Sequence, residues 1–197
     1  MVRFVGAAIV LAFAAVAFQA QLVGTTMPLF RAWLGAIDDT YRTVDLSVLD
    51  VKGEFVVQRI ATPAHPHAMG EHVVYTSADT RLTSQAAAGL VLQPLVLALA
   101  LLIAWPWQNA VELSVRFAVA TPLTLLVVLL DVPMMLYGFT WYQEISLLDP
   151  DRFSPLACWA DVMNAGGRFA LAVVAATLSI FAGSISIARG NLAASSS

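Results

Sequence analysis

The sequence predicts an α-helical integral membrane protein with four transmembrane helices and a small extracytoplasmic β element between the first and second. Three observations carry this. Of 197 residues, 59% are hydrophobic and 12% charged, about half the roughly 25% charge of a soluble domain, too little to cover a water-facing surface. Four apolar stretches, 4–23, 87–103, 117–138 and 169–187, approach the roughly 20 residues that cross about 30 Å of hydrocarbon as a helix. A polar segment with strand-like alternation separates the first two.

Residues 1–23 form the first anchor. Met1-Val2-Arg3 and Ala15-Val16-Ala17 imitate the basic start and cleavage site of a secretory leader. The apolar run is longer than a usual leader core, so a retained anchor is expected.

Residues 24–86 form the long polar loop. After Pro28, the residues Leu29, Phe30, Trp33, Leu34 and Ile37 share one helical face, with Arg31 and Asp38 off it. That pattern suits a short helix lying in the membrane interface. From Thr43 the period becomes two: Val44, Leu46 and Val48 alternate with Asp45 and Ser47. Lys52-Gly53 offers a turn before Phe55, Val56, Val57 and Ile60, and 72–76 is a further β-rich run, so two or three small strands are predicted. A two-stranded hairpin is marginal alone in water, and this element is expected to lean on the membrane, the second loop or a partner.

Residues 87–190 form a three-helix transmembrane region with an outer loop at 140–167, and 191–197, small and polar, form a disordered tail. Trp105 and Trp107 stand at one end of the second span, and Tyr137, Trp141 and Tyr142 at the exit of the third, where amphipathic rings favour headgroup depth. The bias of Lys and Arg in short flanks sets orientation. Arg3, Arg116 and Arg189, against the single acid Glu112, mark the inner flanks. The outer loops hold Asp38, Asp39, Asp45, Asp50, Glu54, Glu71 and Asp79, then Glu144, Asp149, Asp151 and Asp161. Both termini of this multi-pass chain are therefore placed on the cytoplasmic side.

All three histidines, His65, His67 and His72, fall in one window with Met69. Imidazoles with a thioether suit copper, and imidazoles with a carboxylate suit zinc; the alternative is a solvated loop. Asp131 is the one acid inside a span, and a carboxylate at depth costs a few kcal/mol unless neutralised or paired. Gln93 is expected at similar depth, beside Pro94 as Asp131 is near Pro133, so the two form a candidate intramembrane polar pair. Ser179, Ser184 and Ser186 with Gly183 make a small-residue face suited to helix packing. Cys158, the lone cysteine, has no intramolecular disulfide partner and reads as a small buried side chain beside Trp159. No HExxH, Walker or GxGxxG pattern occurs, and no histidine lies within a span to ligate haem. A net charge of −3 gives no basic footprint for nucleic acid.

The basic start and anchor of residues 1–20, the Pro-marked amphipathic stretch 28–37, the loop ending in Glu71-His72-Val73-Val74-Tyr75 and the closing spans with Val132-Pro133 together resemble, in layout, bacterial exosortase H-associated integral membrane proteins. In such systems the exosortase itself cleaves sorting signals, so the resemblance implies an accessory role, and Cys158 lacks the context of that nucleophile. The leading reading is a non-enzymatic accessory or assembly protein whose partners are membrane lipids and another integral membrane protein. The alternatives are an accessory subunit of a membrane oxidoreductase and an extracytoplasmic copper- or zinc-handling protein.

Overall fold

The computed structural model describes residues 2–37, 39–69, 71–75 and 80–195, with side chains from Arg3 to Ser186 within those ranges. Asp38, Thr76 and Asp79, named above, lie outside the described residues, as does the end of the tail at Ser196 and Ser197. The order is α1 (Val2–Ala17), α2 (Gln19–Ile37), β1 (Tyr41–Val51), β2 (Glu54–Pro63), β3 (His67–Met69), β4 (His72–Val74), β5 (Leu82–Ala87), α3 (Gly89–Ala104), α4 (Ala110–Leu148), α5 (Pro155–Val162), a π-helical turn (Met163–Gly167) and α6 (Arg168–Ser195).

This corrects the α-helical class of four transmembrane helices with a small β element. The fold is mixed α/β, with a three-stranded antiparallel sheet ordered β1-β2-β5 and a two-stranded one of β3 and β4. Among the described residues two helices are long and apolar enough to cross a membrane, Ala110–Leu148 and Pro155–Ser186, or three if the bent pair α1 and α2 counts as one span. The reasons are lengths. The first apolar run breaks at Phe18, leaving α1 with 16 residues. Helix α3 also has 16 residues, which at 1.5 Å per residue falls short of about 30 Å of hydrocarbon. Helix α4, by contrast, continues for 39 residues, through the segment expected as the start of an outer loop. Helix α6 likewise runs on to Ser195, into the stretch expected as a loose tail.

The chain divides into two compact units. The first comprises Met1–Ala17, Leu92–Val128 and Gly166–Ser197. Its polar centre is Arg116, almost fully buried, which donates to the carbonyls of Trp105 at 3.2 Å and Pro106 at 2.9 Å and to the Glu112 carboxylate. Glu112 in turn accepts from the Gln108 backbone N–H at 2.7 Å, while Asn109 Oδ1 accepts from the Glu112 N–H at 2.8 Å. One guanidinium thus satisfies carbonyls left over at the end of α3 and fastens the turn into α4, where orphan groups concentrate. Gly183 on α6 lies against this side chain: an added Cβ would sit 2.6 Å from Arg116 Cγ and 3.2 Å from the Glu112 carbonyl. Around this centre, α1 exposes Ile9, Val10, Phe13 and Val16, and α6 exposes Val174, Leu178 and Phe181.

The second unit comprises Phe18–Val91 and Leu129–Ala165. The hairpin of β1 and β2 turns through Lys52 and Gly53, at φ 57° and 85°, the positive values that a two-residue type I′ loop demands. Asp50 Oδ1 accepts from the Gly53 N–H at 2.8 Å. A bulge between Thr43 and Asp45 shifts the register and leaves Val44 55% exposed. The extra residue lets Tyr41 and Thr43 before it share a face with Leu46 and Val48 after it, because opposite partners point to the same side. Those partners are Pro63, Ala61, Arg59 and Val57. Across β2, Val57 pairs with Ala86 and Arg59 with Ser84, so the inner face reads Val57, Arg59, Ala61, Ser84 and Ala86, all buried. Strand β5 escaped the sequence pattern because its buried residues are small, with only Ser84 and Ala86 marking period two.

Helix α2 packs against β1, and Phe30 and Leu34, on its expected apolar face, are buried. Helix α5 starts at Pro155 behind Ser154, whose hydroxyl accepts from the Ala157 N–H at 3.2 Å, the usual capping geometry. Trp159 Nε1 donates to the Leu130 carbonyl at 2.7 Å. Gly138 allows close approach, since a Cβ there would lie 3.3 Å from the Leu156 carbonyl oxygen. Cys158, expected to be buried, is exposed.

Substituting Gly183→Ala pushes a methyl into Arg116 and the α4 backbone, and overpacking of this kind costs about 1–3 kcal/mol. Thermal unfolding in mild detergent is expected to show a lowered midpoint for this variant and an unchanged one for the exposed neighbour Ser184→Ala.

Candidate functional site

The largest concentration of polar chemistry in the second unit forms where the sheet's inner face meets the last turns of α4. Period 3.6 places Tyr137, Thr140, Trp141 and Glu144 on one side of that helix. The strands bring the rest. Tyr41 begins β1, Arg59 and Ser84 face inward from β2 and β5, and His67 begins β3.

Glu144 Oε2 is the common acceptor. It takes the Tyr41 hydroxyl at 2.7 Å and faces His67 Nε2 at 2.9 Å. The His67 and Glu144 side chains are only 12% and 7% exposed. His67 Nδ1 lies 3.3 Å from the carbonyl oxygen of His65, so both ring nitrogens face oxygen acceptors and the imidazole plane is held at both ends. Aromatic rings surround the group: Tyr41 meets His67, Tyr137 and Trp141 edge-on at centroid distances of 5.7, 6.2 and 6.2 Å, and His67 stacks on Trp141 at 6.3 Å. These spacings fall within the favourable range for ring pairs. Arg152 lies over the other aromatic wall, 5.7 Å from the Trp141 centroid.

A second polar layer adjoins the first. Arg59, fully buried, donates from Nε to Thr43 Oγ1 at 3.0 Å and places Nη1 3.5 Å from Thr140 Oγ1. Thr140 Oγ1 is 3.3 Å from Ser84 Oγ and donates to the Leu136 carbonyl at 2.9 Å. The Arg59 guanidinium also lies 5.8 Å from the Tyr137 centroid, within cation–π range. At the sheet edge, Gln143 Nε2 donates to the Thr83 carbonyl at 2.7 Å, covering part of the β5 edge that would otherwise stay open.

Chemically, a carboxylate behind an imidazole fixes which nitrogen carries the proton and how the ring points. Here the same carboxylate also holds a phenol, and all three belong to elements far apart in sequence. The arrangement fastens the first residue of β1 and the start of β3 to α4.

The residues singled out from sequence divide. His67 belongs to the network. His65 and His72 are exposed, and Met69 is fully buried, so the four do not present a common donor face. Met69 and His72 are opposite partners in the small hairpin. Among the described residues no group of three His, Cys, Asp or Glu side chains is placed to hold a metal ion. Asp131 is fully buried on α4, whereas Gln93, expected as its buried partner, is exposed on α3. Tyr137 and Trp141 wall the network, while Trp105, Trp107 and Tyr142 are exposed.

Tyr41, Arg59, Thr140 and Glu144 were not singled out from sequence. Arg59 carried a signal, since strand parity sets it between Val57 and Ala61 on the inward face. Glu144 carried none that was local, because an acid beyond the apolar run reads as a loop residue.

Compared with known proteins, the chain matches no family model, no curated protein sequence and no solved structure.

Replacing Glu144 by Ala leaves His67 and the Tyr41 hydroxyl without their acceptor, and stranding buried polar groups costs about 1–3 kcal/mol. Tyr41→Phe, which removes one donor and leaves the other in place, is expected to cost about 0.5–1.5 kcal/mol. In chemical denaturation the double variant should lose less than the sum, because both changes break one network.

Proposed function

We propose that this chain is a non-enzymatic accessory or assembly protein of a larger machine in the bacterial inner membrane, multi-pass, with its β sheet outside. The observation that carries this reading is the network centred on Glu144, which turns the sheet and the outer end of α4 into one stiff module. A docking module asks for rigidity and an available edge. Strand β1 supplies such an edge. It is 11 residues long, stands at the border of the sheet, and exposes Val44, Leu49 and Val51. Edge strands of this length pair readily with another chain.

The membrane part of the reading is supported by two or three helices of sufficient length and apolar character and by the apolar side chains that α1 and α6 expose. Among membrane machines, the exosortase protein-sorting system is the one that the layout of the chain resembles. The partner in this proposal is accordingly an integral membrane protein, and the role is to position or stabilise it.

Native mass spectrometry of the full chain, gently extracted from its own membrane, tests the proposal. Stable copurification with a larger membrane protein is expected, reduced at least tenfold by the paired substitution Leu49→Lys and Val51→Lys on β1. An exosortase in that complex supports the sorting system, and an oxidoreductase replaces it with a redox machine. A partner-free particle, or one carrying stoichiometric copper or zinc on the histidine segment, overturns the accessory reading.

A further inference from the structure

Helix α2 and the start of β1 border an open cleft of about 370 Å³, lined by Arg31, Gly35, Asp39, Tyr41, Arg42 and Thr43. The volume falls within the range of small-ligand sites, about 300–1,000 Å³. Its charges are of both signs and set close together. Arg31 comes from α2, one helical turn before Gly35, and Arg42 from β1. Both are exposed, and among the described residues neither guanidinium is engaged in an ion pair with a carboxylate. Two arginines lining one cleft match the oxygens of a phosphate, which Arg binds in bidentate fashion. Asp39 adds one carboxylate to the same wall. A ligand bearing only negative charge would be repelled by it, whereas a phosphate joined to a primary ammonium would satisfy both signs.

The floor of the cleft is open for the same reason that a glycine stands there. A Cβ added at Gly35 would meet nothing within 4 Å, so the helix surface is bare and a headgroup can approach the backbone. Ile37, between Gly35 and Asp39 in the chain, is an exposed apolar side chain.

We infer that this cleft binds a phosphoethanolamine headgroup, with its phosphate on Arg31 and Arg42 and its ammonium on Asp39. The source is a membrane phospholipid or a water-soluble phosphoethanolamine. The lipid source rests on the membrane reading above; binding of the free headgroup does not. Because Tyr41 lines the cleft and also donates to Glu144, the ligand would sit directly beside the network that holds the sheet.

The test uses the full chain in maltoside micelles, titrated with dihexanoyl-phosphatidylethanolamine, dihexanoyl-phosphatidylglycerol and free phosphoethanolamine, and read by calorimetry and by the ligand-induced rise in unfolding midpoint. The expected result is saturable binding of phosphatidylethanolamine in preference to phosphatidylglycerol. The double variant Arg31→Gln, Arg42→Gln should lose at least tenfold in affinity, and Asp39→Asn should erase the preference between the two lipids. Gly35→Leu, which fills open space, should block binding while leaving the ligand-free midpoint unchanged. Free phosphoethanolamine binding as tightly as the lipid supports the site with a soluble source, and binding of the lipid alone supports it with a membrane source. Equal affinity for the two lipids in the unmodified chain, or affinity unchanged in both the double arginine variant and Gly35→Leu, would overturn the assignment.

Discussion

A single carboxylate oxygen, Glu144 Oε2, accepts from a tyrosine 103 positions away in the chain and faces a histidine 77 positions away. The sheet depends on this. Three strands of 11, 10 and 6 residues need a covered face to be stable, and the cover is the end of α4. Apolar contacts supply non-directional attraction, whereas the hydrogen bonds to Glu144 and Thr140 set register and orientation. Buried as they are, these groups cost most when one partner is removed, so the network specifies one arrangement.

The placement of Arg59 follows from the same constraint. A fully buried guanidinium is costly unless paired and hydrogen-bonded. Thr43, Thr140 and the Tyr137 ring surround it, and the bulge at Val44 puts Thr43 on the inner face where Arg59 needs it. A bulge that looks like an interruption of the ladder therefore serves the polar core.

The helical unit solves a similar problem by a different means. Arg116 is buried among helices, and its donors go to the carbonyls that close α3 and to a glutamate one turn earlier on α4. Helix ends carry orphan carbonyls, and a side chain from the next helix satisfies them. Gly183 then permits α6 to lie against the arginine. Of the small residues expected to pack on that helix, Gly183 lies against Arg116 and Ser179 is buried, whereas Ser184 is exposed.

The sequence by itself determined the apolar character, the long helices around 117–138 and 169–187, the amphipathic face of α2 with Phe30 and Leu34, the β1 strand with its phase after the bulge, and the Lys52-Gly53 turn. Each of these is set by composition or by periodicity within a few residues. What only the tertiary structure decided was the break at Phe18, the extension of α4 to Leu148, the strand at 82–87 and the partners of His67. Apolar runs do not state where a helix ends when neither a proline nor a charge marks the place, and Ser84 and Ala86 are too small to signal burial. His67 read as one of three equivalent histidines in a loop. Its distinct role comes from Glu144, and hydrogen bonds between residues so far apart leave no local periodicity, because their geometry is set by packing rather than by spacing along the chain.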